Sequence, residues 1–180
     1  MKTLFLIPII LVACSKSNSL VPVPKVGDKY QGGIVFYVLQ SGDPNYIPGE
    51  THGFIAAQHD LTGLYIWGCQ NAPTGQFGYN LGDGSNNTQV IKNACSGVNA
   101  GSACNGLVLN GYSDWFLPSG MEISAMFHNK VLVGGLTSGN YYWSSSKAGY
   151  TDAYAMSSSD VAPNYFPIIS SYNVRPIRKF

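Results

Sequence analysis

Three blocks in the last 70 residues of this 180-residue chain combine large aromatic residues with Gly, Ser, Asn, Asp and Pro. Their sequences are GYSDWFLPS (111–119), YWSSS (142–146) and NVRPIRKF (173–180). Neither an amphipathic helix nor an alternating strand accommodates such runs along its length. We therefore expect one domain in which these blocks bring aromatic rings into the core beside turns and helix caps. The C-terminal residues should belong to that core.

The N-terminus predicts export and lipid attachment. Lys2 precedes an apolar stretch at 4–12, which is far shorter than the ~20 residues that a membrane-spanning helix needs and is typical of a signal peptide. The sequence LVAC at 11–14 matches a lipobox, so we predict a signal peptide at 1–13 and lipidation of Cys14. An ordinary secretory signal cleaved nearby is the alternative.

Residues 14–25 are predicted to be a lipidated tether, because they are polar and then read VPVP, which favours extended polyproline geometry. Each buried CH₂ of the acyl chains contributes about 0.8 kcal/mol, so release from the membrane should be negligible. Ser15 replaces the aspartate of an inner-membrane retention signal. We expect a bacterial envelope protein of the outer membrane, at the cell surface or the periplasmic face.

The composition excludes one class of partner. Removal of Lys2 with the signal peptide leaves nine of the ten basic residues against nine acidic ones, and charged residues make up only 11% of the chain. A nucleic-acid binder needs a basic face, so we expect none. The 12 tyrosines suit a binding surface of rigid amphipathic rings, although loop-rich secreted β proteins have similar compositions.

Three further cysteines follow the lipobox in an oxidising compartment, so a disulfide is expected. We predict a Cys95–Cys104 pair across a flexible Gly- and Ser-containing connection, with Cys69 as a buried free thiol. The alternative pairs Cys69 with one of the other two.

The sequence shows no Ser-His-Asp order, carboxylate pair or ligand cluster, so we predict no catalysis, no metal and no cofactor. His52, His59 and Asp60 could instead bind a cation, although loop or core roles are favoured. A calcium site would need several convergent oxygens. Its candidate ligands are Asp152, Asp160, Asn164 and Asn173.

The element order predicts an α+β domain with two or three short helices and a late antiparallel β meander. Ser119 and Glu122 fit a capping box at the start of the clearest helix, so Glu122 is favoured as a cap over a catalytic acid. Strands are predicted at 32–39, 52–57, 64–68, 141–146, 153–157, 165–170 and 172–178, and the other helices at 87–94 and 103–109.

The order of these motifs resembles the Lcl C-terminal-like family, over nearly all of residues 26–180. The shared motifs are GDKYQGGIVF (27–36), IWG (66–68), Asn87-Thr88, the Cys95/Cys104 pair, GYSDWFLPS (111–119) with Glu122, YWSSS (142–146) and VRPIR (174–178). The resemblance implies a C-type lectin-like fold, which brings the N- and C-terminal strands together, and a surface binding module. Its founding member binds sulfated glycans, but this chain lacks that protein's collagen repeats and any basic excess.

We accordingly expect an adhesion-like module that recognises a glycan or a surface protein. The alternatives are an accessory subunit of a larger outer-membrane complex and, least favoured, a cysteine-dependent oxidase using an exposed Cys69 or Cys104. The resemblance puts the ligand surface in the late β region, where tyrosines can stack on sugars. The residues predicted to bind there are Lys147, Tyr150, Asp152, Asn164, Tyr165, Tyr172 and Asn173.

A second set of residues is predicted to be structural. Trp67, Trp115 and Trp143 should be core rings whose N–H groups find acceptors. Asp114 should accept from backbone or arginine donors, with Arg175 and Arg178 as candidate partners, because a buried carboxylate is costly unless it is paired.

Overall fold

The computed structural model describes residues 22–180, so the predicted signal peptide, Cys14 and most of the tether lie outside the described part. Within it, the strands are β1 (Lys29–Tyr30), β2 (Gly33–Val38), β3 (Gly53–Ala56), β4 (Tyr65–Ile66), β5 (Tyr141–Lys147), β6 (Asp152–Ser157), β7 (Asn164–Pro167), β8 (Ser171–Tyr172) and β9 (Ile177–Lys179). The helices are α1 (Gly84–Ala94), α2 (Ala100–Asn105), α3 (Gly120–His128) and α4 (Lys130–Val133). The predicted α+β class is confirmed, with one helix more than expected in this part of the chain.

A four-stranded antiparallel sheet joins the beginning and the end of the domain in the order β1-β2-β3-β9. The last strand pairs with β3, so that Ile55 lies opposite Arg178. Val35 and Phe36 on β2 are both fully buried, which is why this strand reads as a continuous apolar run rather than an alternating one. The prediction that the C-terminal residues belong to the core is confirmed, because Ile177 is also fully buried.

The late strands form a three-stranded antiparallel sheet in the order β5-β6-β7. The predicted strand at 165–170 is too long, since Ser170 donates to the Pro167 carbonyl in a turn. The predicted strand at 172–178 is wrong as a single element. Its first residues pair with β4, whereas its last ones belong to the four-stranded sheet.

Helix α3 begins as predicted. Ser119 accepts from the Glu122 backbone N–H, and the Glu122 carboxylate accepts from the Ser119 backbone N–H, so the capping box is confirmed. Helix α1 instead starts at Gly84, three residues before the predicted Asn87 cap. The Asn87 side chain is buried, and it donates to Gly78 and Ser145 rather than capping the helix.

Helix α2 and strand β4 also differ from the sequence prediction. Helix α2 begins after Asn99, which forms a capping box with Ser102, so it starts three residues before the predicted 103–109 segment and ends at Asn105. Strand β4 has two residues where a buried segment was predicted at 64–68. Only Trp67 there is a large fully buried ring, and Leu64 is exposed.

The two faces of the late sheet are covered differently. On one face, Trp143 and Ala155 pack with Trp67 and Ile91 of α1. On the other face, Tyr142 and Met156 pack against α3 in a second core cluster. The outer strand β7 extends beyond this helix cover, and its residues are mostly exposed.

Candidate functional site

Two arginines of the C-terminal block hold the domain ends together through separate carboxylates. Arg178 donates to both oxygens of Asp114, at 2.7 and 2.9 Å, which confirms one of the two predicted pairings. The Asp114 side chain is 56% exposed, so the prediction of a buried carboxylate is wrong. The Arg178 hydrogen bonds keep the pKa of Asp114 below its usual value.

Both arginines are buried, and Arg175 is the more deeply buried of the two. Its Nε donates to Asp60 at 2.6 Å, and its other nitrogens donate to the carbonyls of Ala57, Gly134 and Gly135. The same Asp60 carboxylate accepts from the hydroxyl of Tyr142 at 2.7 Å. These groups therefore join separate parts of the chain through internal hydrogen bonds.

The three tryptophans have the predicted core role. All three are buried. The indole N–H of Trp67 donates to the Ser144 carbonyl, that of Trp143 to the Tyr65 carbonyl, and that of Trp115 to the Tyr112 carbonyl. These rings pack in the core that supports the surface loops.

The predicted Cys95–Cys104 disulfide is wrong, because the structure joins Cys69 to Cys95. Cys95 follows the last residue of α1, and there its Cα lies 5.4 Å from that of Cys69 in the segment after β4. Cys104 is a free, fully buried thiol on α2, and burial raises its pKa. Cys69 is oxidised in the disulfide and Cys104 is buried, so neither is the exposed thiolate that a reactive cysteine requires.

Three of the predicted ligand residues make internal contacts. The Lys147 ammonium donates to the carbonyls of Gln70 and Ala72, and desolvation lowers its pKa. The Asn173 side chain donates to the Tyr141 carbonyl. The Tyr172 ring packs on Trp143, with 4.7 Å between ring centroids.

The remaining four are accessible to different degrees, but they do not form one cluster. Tyr150 is 61% exposed and Tyr165 is 69% exposed. Asn164 is exposed and Asp152 is half-buried. Side chains directly opposite across two strands share a face. Asn164 pairs with Ala155 on the tryptophan face, whereas Tyr165 pairs with Tyr154 on the other.

A row of three tyrosines crosses the late sheet on this second face. Tyr165 is opposite Tyr154, and the Tyr154 ring lies 4.9 Å from that of Tyr79 in an edge-to-face arrangement. We call Tyr79, Tyr154 and Tyr165 the tyrosine row. Sequence reasoning included only Tyr165. The alternation in β6, with Ala153 and Ala155 between larger residues, could have indicated Tyr154, but no local signal predicts Tyr79.

Glu122 is a buried carboxylate with a structural role. It accepts from the backbone N–H groups of Ser119 and Gly82, at 2.7 and 2.8 Å. Burial raises its pKa to about 7. Because both oxygens bond backbone within the protein, the preference for a cap over a catalytic acid is supported by these contacts.

The predicted cation group does not come together. His52 Nε2 lies 2.7 Å from the Glu50 carboxylate, and its Nδ1 lies 3.2 Å from the Phe180 carbonyl, beside a mainly apolar cleft of about 360 Å³. Asp60 is instead bonded to Arg175. In residues 22–180 there is no cluster of three or more His, Cys, Asp or Glu residues that could hold a metal ion.

Among the helices of the described chain, none has the length and apolar character needed to cross a bilayer.

Comparison with known proteins gave a similarity of shape rather than of sequence. No family model matches the chain, and no curated protein matches it. Among solved structures, it is similar to a fimbrial protein from Bacteroides ovatus, with a TM-score of 0.51 and 14% sequence identity. The alignment covers 87% of this chain and 45% of that one, so this chain spans less than half the length of the fimbrial protein. At this identity the similarity shows that the two chains share a fold.

Proposed function

We propose that this protein is a lipid-anchored binding module of the bacterial cell envelope that recognises a glycan or a surface protein and performs no catalysis. Its domain at 26–180 would be a C-type lectin-like member of the Lcl C-terminal-like family. Cys14 would carry the lipid, and residues 14–25 would hold the domain away from the membrane.

One observation carries this proposal. Tyr165 is 69% exposed on the late sheet, whereas the tryptophans, the two C-terminal arginines and the buried Glu122 carboxylate of the domain are all engaged internally. Rigid tyrosines on an ordered scaffold offer apolar area and a polar hydroxyl at a low entropic cost. Such a surface suits recognition better than acid–base chemistry.

The surface location has separate support. The structurally similar chain is a fimbrial protein, and the Cys69–Cys95 disulfide suits an oxidising compartment. The pairing of β9 with β3 is also compatible with a lectin-like fold, in which the two ends of the domain meet.

A glycan microarray and a panel of surface proteins, probed with the purified full-length chain, test the function. Saturable binding to one class, with no turnover of the bound ligand, is expected. Absence of binding to both classes would contradict the proposed recognition role.

A second candidate, an accessory subunit of a larger outer-membrane complex, is favoured by two strongly exposed apolar side chains. Val131 and Val161 are 88% and 99% exposed, and they line two adjacent clefts that share Lys130 and Ser158. Photocrosslinking from position 131 in intact cells would then capture a stoichiometric envelope protein. A glycan-binding module acting alone would give no such product.

A further inference from the structure

The tyrosine row has the geometry of a preorganised platform. Tyr154 and Tyr165 are directly opposite on neighbouring strands, and Tyr79 lies against Tyr154 with the two ring planes at 68°. Within residues 22–180, no protein group hydrogen-bonds the hydroxyl of any of the three. The hydroxyls therefore remain available to a ligand.

The inner end of the row is held in place by helix α3. The Tyr79 carbonyl accepts from the Met121 backbone N–H at 2.9 Å. Its ring lies so close over Gly120 that a Cβ at this position would be 2.0 Å from the ring. A ring that is fixed before binding loses little freedom when a ligand stacks on it.

The charges of the sheet restrict the ligand. In β5, β6 and β7 the charged residues are Lys147 and Asp152. Lys147 is bonded to carbonyls and lies by Trp67 of the other face. Asp152 is two residues from Tyr154 and opposite Pro167, so the alternation of the strand puts it on the face of the tyrosine row. A carboxylate there accepts from hydroxyl or ammonium groups and repels sulfate.

The size of the row favours a small ligand over a protein. A stable protein interface takes about 800 Å² from each partner, whereas a large aromatic side chain contributes about 150–250 Å² even when it is wholly covered. Three partly buried tyrosines supply less than a protein partner requires. They suit a short stretch of a saccharide, whose apolar ring faces stack while its hydroxyls bond.

We propose that the tyrosine row, with Asp152 beside it, binds uncharged or amino-substituted sugars by stacking and excludes sulfated ones. This assignment rests on the proposed recognition function, and it adds the face of the sheet and the class of sugar.

The test compares purified full-length wild type with Tyr165→Ala, Tyr165→Phe and Tyr150→Ala on an array of neutral, amino and sulfated oligosaccharides. Tyr165 and Tyr150 are similarly exposed, so neither alanine change should disturb folding. Wild type should bind neutral or amino sugars. Tyr165→Ala should weaken this binding at least about fivefold, through loss of one stacking contact. Tyr165→Phe keeps the ring and loses only the hydroxyl, so it should weaken binding less than Tyr165→Ala does, and Tyr150→Ala should retain it.

The outcomes separate the two proposals. Sugar binding that survives Tyr165→Ala, or that is confined to sulfated sugars, overturns the assignment of the row but leaves the recognition function intact. If the array gives no signal but a surface protein from the panel binds and Tyr165→Ala abolishes that binding, then the ligand of the tyrosine row is a protein and not a sugar. Binding to neither sugars nor proteins overturns the recognition function as well.

Discussion

Arg175 and Arg178 are three residues apart, yet their surroundings differ enough to separate their contributions to stability. Arg175 is fully buried and bonds Asp60, whose side chain is 18% exposed, and three carbonyls, so its removal leaves several polar groups without partners. Arg178 pairs with an Asp114 side chain that water can reach. Breaking a buried pair costs about 3–5 kcal/mol, whereas losing a hydrogen bond to a solvated charged group costs about 1.5–3 kcal/mol.

We therefore expect Arg175→Met to lower the free energy of unfolding more than the matched Arg178→Met change. Urea unfolding monitored by tryptophan fluorescence measures both. Equal losses, or a greater loss for Arg178→Met, would show that burial of the ion pair does not control its contribution.

Glu122 should make stability depend on pH near neutrality. Its pKa is raised from 4.5 to about 7 in the folded protein, so the folded state binds its proton more tightly than the unfolded state does. The resulting stabilisation is complete below about pH 4.5 and is lost as the pH rises to about 7. The slope approaches about 1.4 kcal/mol per pH unit for one proton.

Urea unfolding between about pH 4.5 and 6.5 should show this decline in wild type, and Glu122→Gln should remove it. His52 also has a raised pKa, and it adds a loss of the same sign only above its usual value of 6.5. Glutamine offers only one acceptor for the two backbone donors, so the variant will be less stable overall and the slope is the informative quantity. Asp114 has a lowered pKa, and its effect appears as the pH falls below about 3.8, outside this range. If the free energy of unfolding of wild type and of Glu122→Gln fell with pH at the same rate, the prediction would be contradicted.

At the scale of an element, the beginning of α3 combines a local signal with a distant contact. Its capping box involves residues three positions apart, which is why it could be predicted. The Tyr79 ring, 41 residues from Gly120 in the chain, explains why the first helical residue is glycine. Intrinsic propensity alone favours Ala over Gly by roughly 0.8–1 kcal/mol.

Gly120→Ala should nevertheless destabilise the protein by about 1–3 kcal/mol, because the added methyl group displaces the Tyr79 ring. In a Tyr79→Ala background the same substitution should be neutral or stabilising, since the obstructing ring is gone. Thermal unfolding of the four proteins gives the coupling energy. An equal cost of Gly120→Ala in both backgrounds would rule out the ring as its cause.

The start of α1 shows the limit of such local signals. Asn87 is a good N-cap residue by type, but its amide is occupied by Gly78 and Ser145. The Asn87 amide could either cap the helix or bond Ser145 in the core. Because Ser145 lies 58 residues away in the chain, neighbouring residues could not indicate which of the two it does.

At the scale of the whole molecule, the last strand closes the fold. Ile177 is opposite Ala56 in the four-stranded sheet and also bridges to Phe116, so it connects segments from the beginning, middle and end of the domain. Ile169 lies in the same late region but is 76% exposed.

Ile177→Ala should lower the free energy of unfolding by about 2–5 kcal/mol, because it leaves a cavity where these segments meet. Ile169→Ala should change it by no more than about 0.5 kcal/mol. Chemical denaturation of both variants makes the comparison. A small effect at Ile177 would mean that β9 contributes little to global stability.

Local features of this protein follow from sequence alone. The α+β class, the capping box of α3, the buried early strands and the core tryptophans each depend on residue type or short spacing. Such interactions form between chain neighbours, and so their signals survive without knowledge of the fold.

Only the tertiary structure decided which distant groups meet. It joins Cys95 to Cys69 rather than to Cys104, and it pairs Arg178 with Asp114 and Arg175 with Asp60. It also places the predicted ligand residues on two different faces of one sheet. The physical reason is that adjacent strand residues point to opposite sides, while packing brings residues far apart in the chain into contact. Tyr79 therefore joins Tyr154 and Tyr165 through the fold, and no sequence spacing predicts that row.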